Sequence, residues 1–200
     1  MTRSSQAVEA RAMDINTLPP VSTKMTARQF LSLPEDGKQY ELIDGEVFVM
    51  PSPGELHQRL VARIWRGFDE YFDRHEAGRA YVAPFDVRFD EANVYQPDVV
   101  VVLEEHAGRV TAKRVEGAPD LVVEVLSAGT AVKDRNVKLR AYARFGVTEA
   151  WLVDAERRRF EIHRLREDGT YALVKTVGED GTLTTPLLPG LRMKVAKLYR

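Results

Sequence analysis

Two short runs of almost unbroken apolar residues, Val99 to Leu103 and Leu121 to Leu126, constrain the fold more than any other feature. Runs of that length and β-branched content suit strands buried on both faces, and such strands need a sheet covered on both sides. Each run is marked by an acid: Asp98 stands directly before the first, after Pro97, and Glu124 interrupts the second. A carboxylate in a buried strand carries a high desolvation cost unless it is paired, hydrogen-bonded or metal-bound. Side chains alternate along a strand, so Asp120, Val122, Glu124 and Leu126 share one face, as do Asp98, Val100 and Val102 on theirs. If the two strands are neighbours, Asp98 and Glu124 can converge on one metal.

The segments around these runs supply the rest of a two-layer fold. Thr26 to Gln29 is a capping-box pattern opening a short helix through Leu33. Tyr40 to Met50 reads as a β-hairpin turned at Asp44-Gly45. The strongest helix runs from Leu56 to Glu76, with Leu60, Val61, Ile64, Trp65, Phe68, Tyr71 and Phe72 on one face and Gly78 as its stop. Tyr81 to Phe89 alternates as a single half-exposed strand. After the two apolar runs come a helix over Ala131 to Phe145, ended by Gly146, and a buried strand over Ala150 to Val153. Arg159 to Leu165 and Tyr171 to Val177 form a hairpin turned at Asp168-Gly169, and a Pro/Gly-punctuated tail ends in a short strand. The order from residue 56 to 154 is therefore α-β-β-β-α-β. The expected class is α/β (α+β), a mixed sheet flanked by helices, with N-terminal and C-terminal β-hairpins. Residues 1–24 read as a flexible leader and 25–200 as one domain, a size at which a core stabilises itself.

Composition narrows the chemistry by exclusion. The chain has no Cys, which removes a disulfide framework, a Cys-based zinc site and a thiol nucleophile. Its four His, at 57, 75, 106 and 163, have no zinc-binding spacing. A net charge of −1 gives no global nucleic-acid signature, so any such signal must be local. No apolar run approaches the ~18–20 residues of a membrane span, and no secretory signal is visible, so the cytoplasm is the default compartment.

Local charge does concentrate after Glu124. Lys133, Arg135, Lys138, Arg140 and Arg144 face Asp134 alone across one helix. Asp134, Lys138, Tyr142 and Phe145 fall on one stripe of that helix; with Tyr142 and Phe145 turned to the core, Lys138 points to the sheet. Mg²⁺ takes hard oxygen ligands and keeps several waters, so one or two carboxylates suffice to hold it. Such an ion stabilises charge on a phosphodiester oxygen and helps to generate the attacking hydroxide, while a nearby Lys orients that water or stabilises the transition state. Simpler roles stand beside these. Asp98 could satisfy backbone donors at a strand start, Glu124 could pair with a buried Arg, and Lys138 could be the i+4 partner of Asp134. His57 could merely occupy a helix start, and Glu41 could be a cross-strand surface residue.

Several ordered segments together resemble a known family. They are Tyr-Glu-Leu-Ile-Asp-Gly-Glu at 40–46, Pro-Ser-Pro followed by His57, Gln-Pro-Asp-Val at 96–99, and Pro-Asp-Leu-Val-Val-Glu-Val-Leu-Ser at 119–127. Asp134 through Lys138 to Tyr142, Gly146-Val147 with Trp151-Leu152-Val153-Asp154, and Leu188-Pro189-Gly190-Leu191 continue the series. This set, covering residues 25–200, resembles the Uma-two family of restriction endonucleases within the PD-(D/E)XK nuclease superfamily. The resemblance implies a restriction-endonuclease-like core with a Mg²⁺ or Mn²⁺ site. In it Asp98 is the motif Asp and Glu124 the motif acid, and the backbone carbonyl of Val125 is a further ligand. The superfamily pattern sets a Lys two residues after the acid, where this chain has Leu126. The resemblance moves that role to the following helix and makes Lys138 the candidate; Glu41 and His57 belong to matching segments that line the site. The implied activity is metal-dependent hydrolysis of phosphodiester bonds in nucleic acid, above all DNA. The alternative is a catalytically inactive module of the same fold that binds nucleic acid or a protein partner. Cutting both strands of a duplex would favour a homodimer.

Overall fold

The computed structural model describes residues 11–12, 24–126 and 131–200, with side chains from 24–126 and 137–200. The leader expected at 1–24 lies outside the described residues apart from Arg11, Ala12 and Lys24.

In chain order, β1 (Arg11–Ala12) precedes a single helical turn, α1 (Ala27–Phe30), which Thr26 and Gln29 close as a reciprocal capping box. The hairpin of β2 (Gln39–Ile43) and β3 (Glu46–Met50) turns at Asp44 and Gly45, both at positive φ (49° and 84°), as a type I′ turn requires. Then come α2 (Glu55–Phe72), β4 (Gly78–Val82), β5 (Asp86–Arg88), β6 (Val94–Tyr95) and β7 (Val99–Leu103). A 3₁₀ segment (Glu104–Arg109) leads to β8 (Arg114–Glu116) and β9 (Leu121–Leu126). The chain finishes with α3 (Ala131–Phe145), β10 (Glu149–Asp154), the hairpin of β11 (Arg159–Leu165) and β12 (Tyr171–Val177), the hairpin of β13 (Thr182–Thr185) and β14 (Leu188–Lys194), and α4 (Val195–Leu198).

Six strands form the central sheet in the order β12-β11-β10-β9-β7-β4. It is mixed: β10 runs parallel to β9, and the other neighbours are antiparallel. The alternation of side chains divides its two faces cleanly. Val99, Val101, Leu121, Val123 and Val125 pack with Leu60, Val61, Ile64, Phe68 and Tyr71 of α2. The residues between them turn the other way, Val122 toward Tyr142 of α3 and Tyr95 of β6, and Val100 and Val102 toward Val87 and Val115. Both apolar runs are thus buried on both faces, as their composition requires.

Three expectations are corrected. Tyr81 to Phe89 is not one strand. It breaks at Pro84, which cannot donate to a ladder, and β4 joins the central sheet while β5 joins a second sheet of order β1-β3-β2-β6-β5-β8. That second sheet, with α3, covers one face of the central sheet. Gly78 does not cap α2, which ends at Phe72; it opens β4. The C-terminal tail is a hairpin and a helical turn, and Leu183, Leu188, Leu191, Met193, Val195 and Leu198 complete the core beside α2. Among the described residues, no helix is long and apolar enough to cross a membrane.

Gly78 has φ 149°, and a Cβ there would lie 2.4 Å from the carbonyl oxygen of Val102 on the neighbouring strand. Gly78→Ala must therefore distort the β4–β7 pairing. We expect a loss of about 2 kcal/mol or more in urea unfolding; a loss below about 0.5 kcal/mol, the range of an inert surface change, would contradict the tight approach.

Candidate active site

Pro97 ends the ladder of the second sheet, and the chain crosses to the central sheet at Asp98. Strands β7 and β9 are antiparallel neighbours with Val99 opposite Val123, so the same register sets Asp98 opposite Glu124 on one face. The convergence that alternation allowed is therefore realised. Asp98 Oδ2 accepts the Val125 N–H at 2.7 Å and lies 3.2 Å from His57 Nε2 in the first turn of α2. The modest expectation that Asp98 satisfies a backbone donor holds together with its approach to the other acid.

Glu124 is paired by a lysine, not by an Arg. Lys138 Nζ donates to Glu124 Oε1 at 3.1 Å and to Glu41 Oε1 at 2.9 Å. Lys138 thus points to the sheet, and it reaches Glu124 from the helix where the superfamily pattern would use the strand. The side chain of Asp134, its alternative partner, lies outside the described residues. Glu41 is not a surface residue: its side chain is 1% exposed, turned in from β2 between the two sheets. Its Oε1 also accepts the Gln96 N–H at 3.0 Å, while its Oε2 is buried with no hydrogen-bond partner among the described residues.

Two further residues belong to this cluster. Tyr142, expected only as core, donates its hydroxyl to Glu124 Oε1, the oxygen that Lys138 also holds. Gln96 clamps Glu41 by its backbone N–H and donates its side-chain amide to Asp86 at 2.8 Å. Spacing could have found Tyr142, which lies four residues after Lys138 on the same stripe. Nothing local marks Gln96, whose partners come from distant strands.

The electrostatics follow from crowding. Burial, reinforced by the charges of Asp98 and Glu41 and opposed by Lys138 and the Tyr142 hydroxyl, pushes Glu124 up to about 7. Burial alone would lower Lys138, but Glu124 and Glu41 hold it protonated well above its ordinary range. Burial would likewise lower His57; its hydrogen bond to Asp98 and the charges of Asp98 and Glu124 more than offset that, with the Val125 carbonyl adding to them, and its pKa rises.

Three carboxylates thus share a pocket with one lysine and one imidazole. Glu124 Oε2, Asp98 Oδ1 and the buried Glu41 Oε2 accept no hydrogen bond from any described residue. Hard oxygens in excess of their donors fit Mg²⁺ or Mn²⁺. Among the described residues no three His, Asp or Glu side chains close around a single point, but an ion that keeps most of its waters needs only one or two carboxylates. The roughly 450 Å³ groove between α3 and the β11–β12 hairpin, lined by Arg140, His163, Tyr171 and Leu173, contains none of these acids.

The similarities of the chain to other proteins follow this core. A family model, Uma2, described as "Putative restriction endonuclease", matches residues 27–196. Two uncharacterized proteins of Synechocystis sp., slr1290 and sll1609, are 24% and 27% identical over 182 and 163 residues, which is 88% and 80% of this chain and 92% and 91% of theirs. The crystal structure of "a putative nuclease belonging to DUF820" from Anabaena variabilis shares the fold, with a TM-score of 0.73 at 19% identity over 88% of this chain and 97% of that one.

Because Glu124 titrates near 7 when folded and near 4.5 in the unfolded chain, its ionisation costs stability progressively between those values and in full above them. His57 acts in the same direction: its raised pKa adds stability below about 6.5 that is lost as pH climbs through the folded value. In metal-free protein, Glu124→Gln should therefore lose less stability than wild type as the pH climbs from about 4.5 to about 7. Melting curves in a chelator across that range check it; a variant whose melting temperature falls with pH as steeply as that of wild type would contradict the raised pKa of Glu124.

Proposed function

The chain belongs to the Uma2 family, and from that premise we propose that this cluster is the active centre of a metal-dependent nuclease hydrolysing phosphodiester bonds, with DNA as the substrate. One observation carries the reading. Two acids on neighbouring buried strands each have one oxygen held by protein donors and the other without a donor among the described residues, beside a lysine held protonated. A purely structural ion pair has no use for the unheld oxygens, whereas a cation site has.

Asp98, Glu124 and the carbonyl of Val125 would hold the Mg²⁺ or Mn²⁺. When bound, that ion supplies Lewis-acid stabilisation of charge on a phosphodiester oxygen and lowers the pKa of a bound water. The chain's own groups do the rest. Lys138 presents a fixed positive charge toward the anionic phosphate, and Glu41 keeps its ammonium in place. His57 holds Asp98 through Nε2 and keeps the imidazole at the rim of the site. The apolar strands and helices around Glu124 exclude water, which strengthens each of these interactions. Cutting both strands of a duplex calls for two such centres and hence a homodimer; the reducing cytoplasm suits a chain without Cys.

Purified protein incubated with plasmid DNA and Mn²⁺ or Mg²⁺ should cleave it. Asp98→Ala and Glu124→Ala should each lose cleavage by about 100-fold or more together with Mn²⁺ binding in calorimetry, and Lys138→Ala should lose cleavage by a similar factor while still binding Mn²⁺. A wild-type protein that neither cuts nor binds metal would leave the non-catalytic binding module as the better reading, and cleavage surviving both acid substitutions would place the chemistry elsewhere.

A further inference from the structure

Tyr142 has no role in the reading above, yet it is the most deeply committed donor in the cluster. It is fully buried on α3, packed against Val122, Val147 and Ala150, with its ring 5.9 Å from those of Phe89 and Tyr95. Packing of that kind would be met equally by Phe. A hydroxyl carried into such surroundings costs free energy unless it finds an acceptor, and among the described residues its one acceptor is Glu124 Oε1. Lys138 is differently placed, because it divides its ammonium between Glu41 and Glu124. One carboxylate oxygen of Glu124 thus takes two donors from a single helix, four residues apart, and the other takes none from the described residues.

We propose that Tyr142 is a positioning residue for the metal site: its hydroxyl fixes the rotation of the Glu124 carboxylate, so that Oε1 stays with the protein and Oε2 stays turned to the cation. The inference rests on the nuclease reading and extends it to a residue that touches neither metal nor substrate. A ligand held in this way loses little freedom when the ion arrives, and partners of this kind typically contribute about 10–100-fold to metal affinity or activity.

The test compares wild type with Tyr142→Phe and Tyr95→Phe. Tyr95 belongs to the same aromatic cluster, but its hydroxyl donates to Asn93, away from Glu124. Mn²⁺ binding is measured by calorimetry, and DNA cleavage is titrated separately with Mn²⁺ and with DNA. Tyr142→Phe should weaken Mn²⁺ binding about 10-fold and raise the Mn²⁺ needed for half-maximal cleavage equally. The rate should recover at saturating Mn²⁺ with the DNA dependence unchanged, and Tyr95→Phe should match wild type in Mn²⁺ binding. Unchanged Mn²⁺ affinity in Tyr142→Phe, in a wild type that binds Mn²⁺ and cuts DNA, would overturn the positioning role and leave the nuclease reading standing. Equal weakening in both variants would also overturn it, since the cause would then be packing. A wild type that binds no Mn²⁺ would overturn both readings together.

Discussion

A carboxylate on a central strand, withdrawn from water, is tolerable only while donors hold it, and the architecture of this chain is arranged around that requirement at Glu124. Its neighbours Val122, Val123 and Val125 are buried, and the strands on both sides are apolar. The donors must therefore come from outside the sheet, and α3 brings Lys138 and Tyr142 together on one stripe. Lys138 is in turn shared with a second carboxylate, Glu41 from the second sheet. Remove α3, and two buried carboxylates lose the one ammonium they share, an error that costs several kcal/mol. Charge pairing through Lys138 thus joins the hairpin sheet to the central sheet alongside apolar packing.

The pairing of β7 with β9 adds the second acid for geometric reasons. In antiparallel neighbours the sum of paired residue numbers is constant, so Val99 opposite Val123 implies Asp98 opposite Glu124. A slip of one residue would turn either acid to the α2 face, among Leu60, Ile64 and Phe68, where nothing could hold it. The valines at 99, 101, 121, 123 and 125 forbid that slip by packing on α2. Core packing on one face of the sheet thus fixes the chemistry on the other.

What the sequence made legible divides along the same line. Short-range pattern was enough for β7, β9, α3, the β2–β3 hairpin and the β11–β12 hairpin, whose bounds or turns follow from runs, periodicity and turn residues. It was enough for Asp98 and Glu124 as well, because an acid in an apolar run is conspicuous. The strands of two and three residues, β5, β6 and β8, carry too little pattern to be read and exist only through partners far away in the chain. Local pattern is equally silent about Glu41, which only the family resemblance named: in β2 it looks like the polar half of an alternating strand, and the packing of the second sheet on the first makes it buried. Tyr142 was legible as an apolar ring but not as a donor, since helical periodicity reports which face a residue occupies and is silent about where its hydroxyl ends.

The displaced lysine shows what a strand position can and cannot do. A residue two positions after Glu124 shares its face, since side chains alternate with period two. Leu126 holds that position here, half-buried at the end of β9. A lysine there would have shared the face of Glu124, but it would have left the Tyr142 hydroxyl as the one side-chain donor reaching Glu124 from α3 among the described residues. From α3 the ammonium approaches Glu124 from within the protein and is fixed by Glu41 behind it. The relocation therefore exchanges a long side chain anchored at its own Cα alone for one gripped at its charged end by two buried carboxylates. It also makes the position of that charge depend on how α3 docks on the sheet. Because Tyr142 sits one turn further along the same helix and holds the same oxygen, a shift of α3 would move both donors together, and the two elements of the site, acid and cation, would lose their register at once.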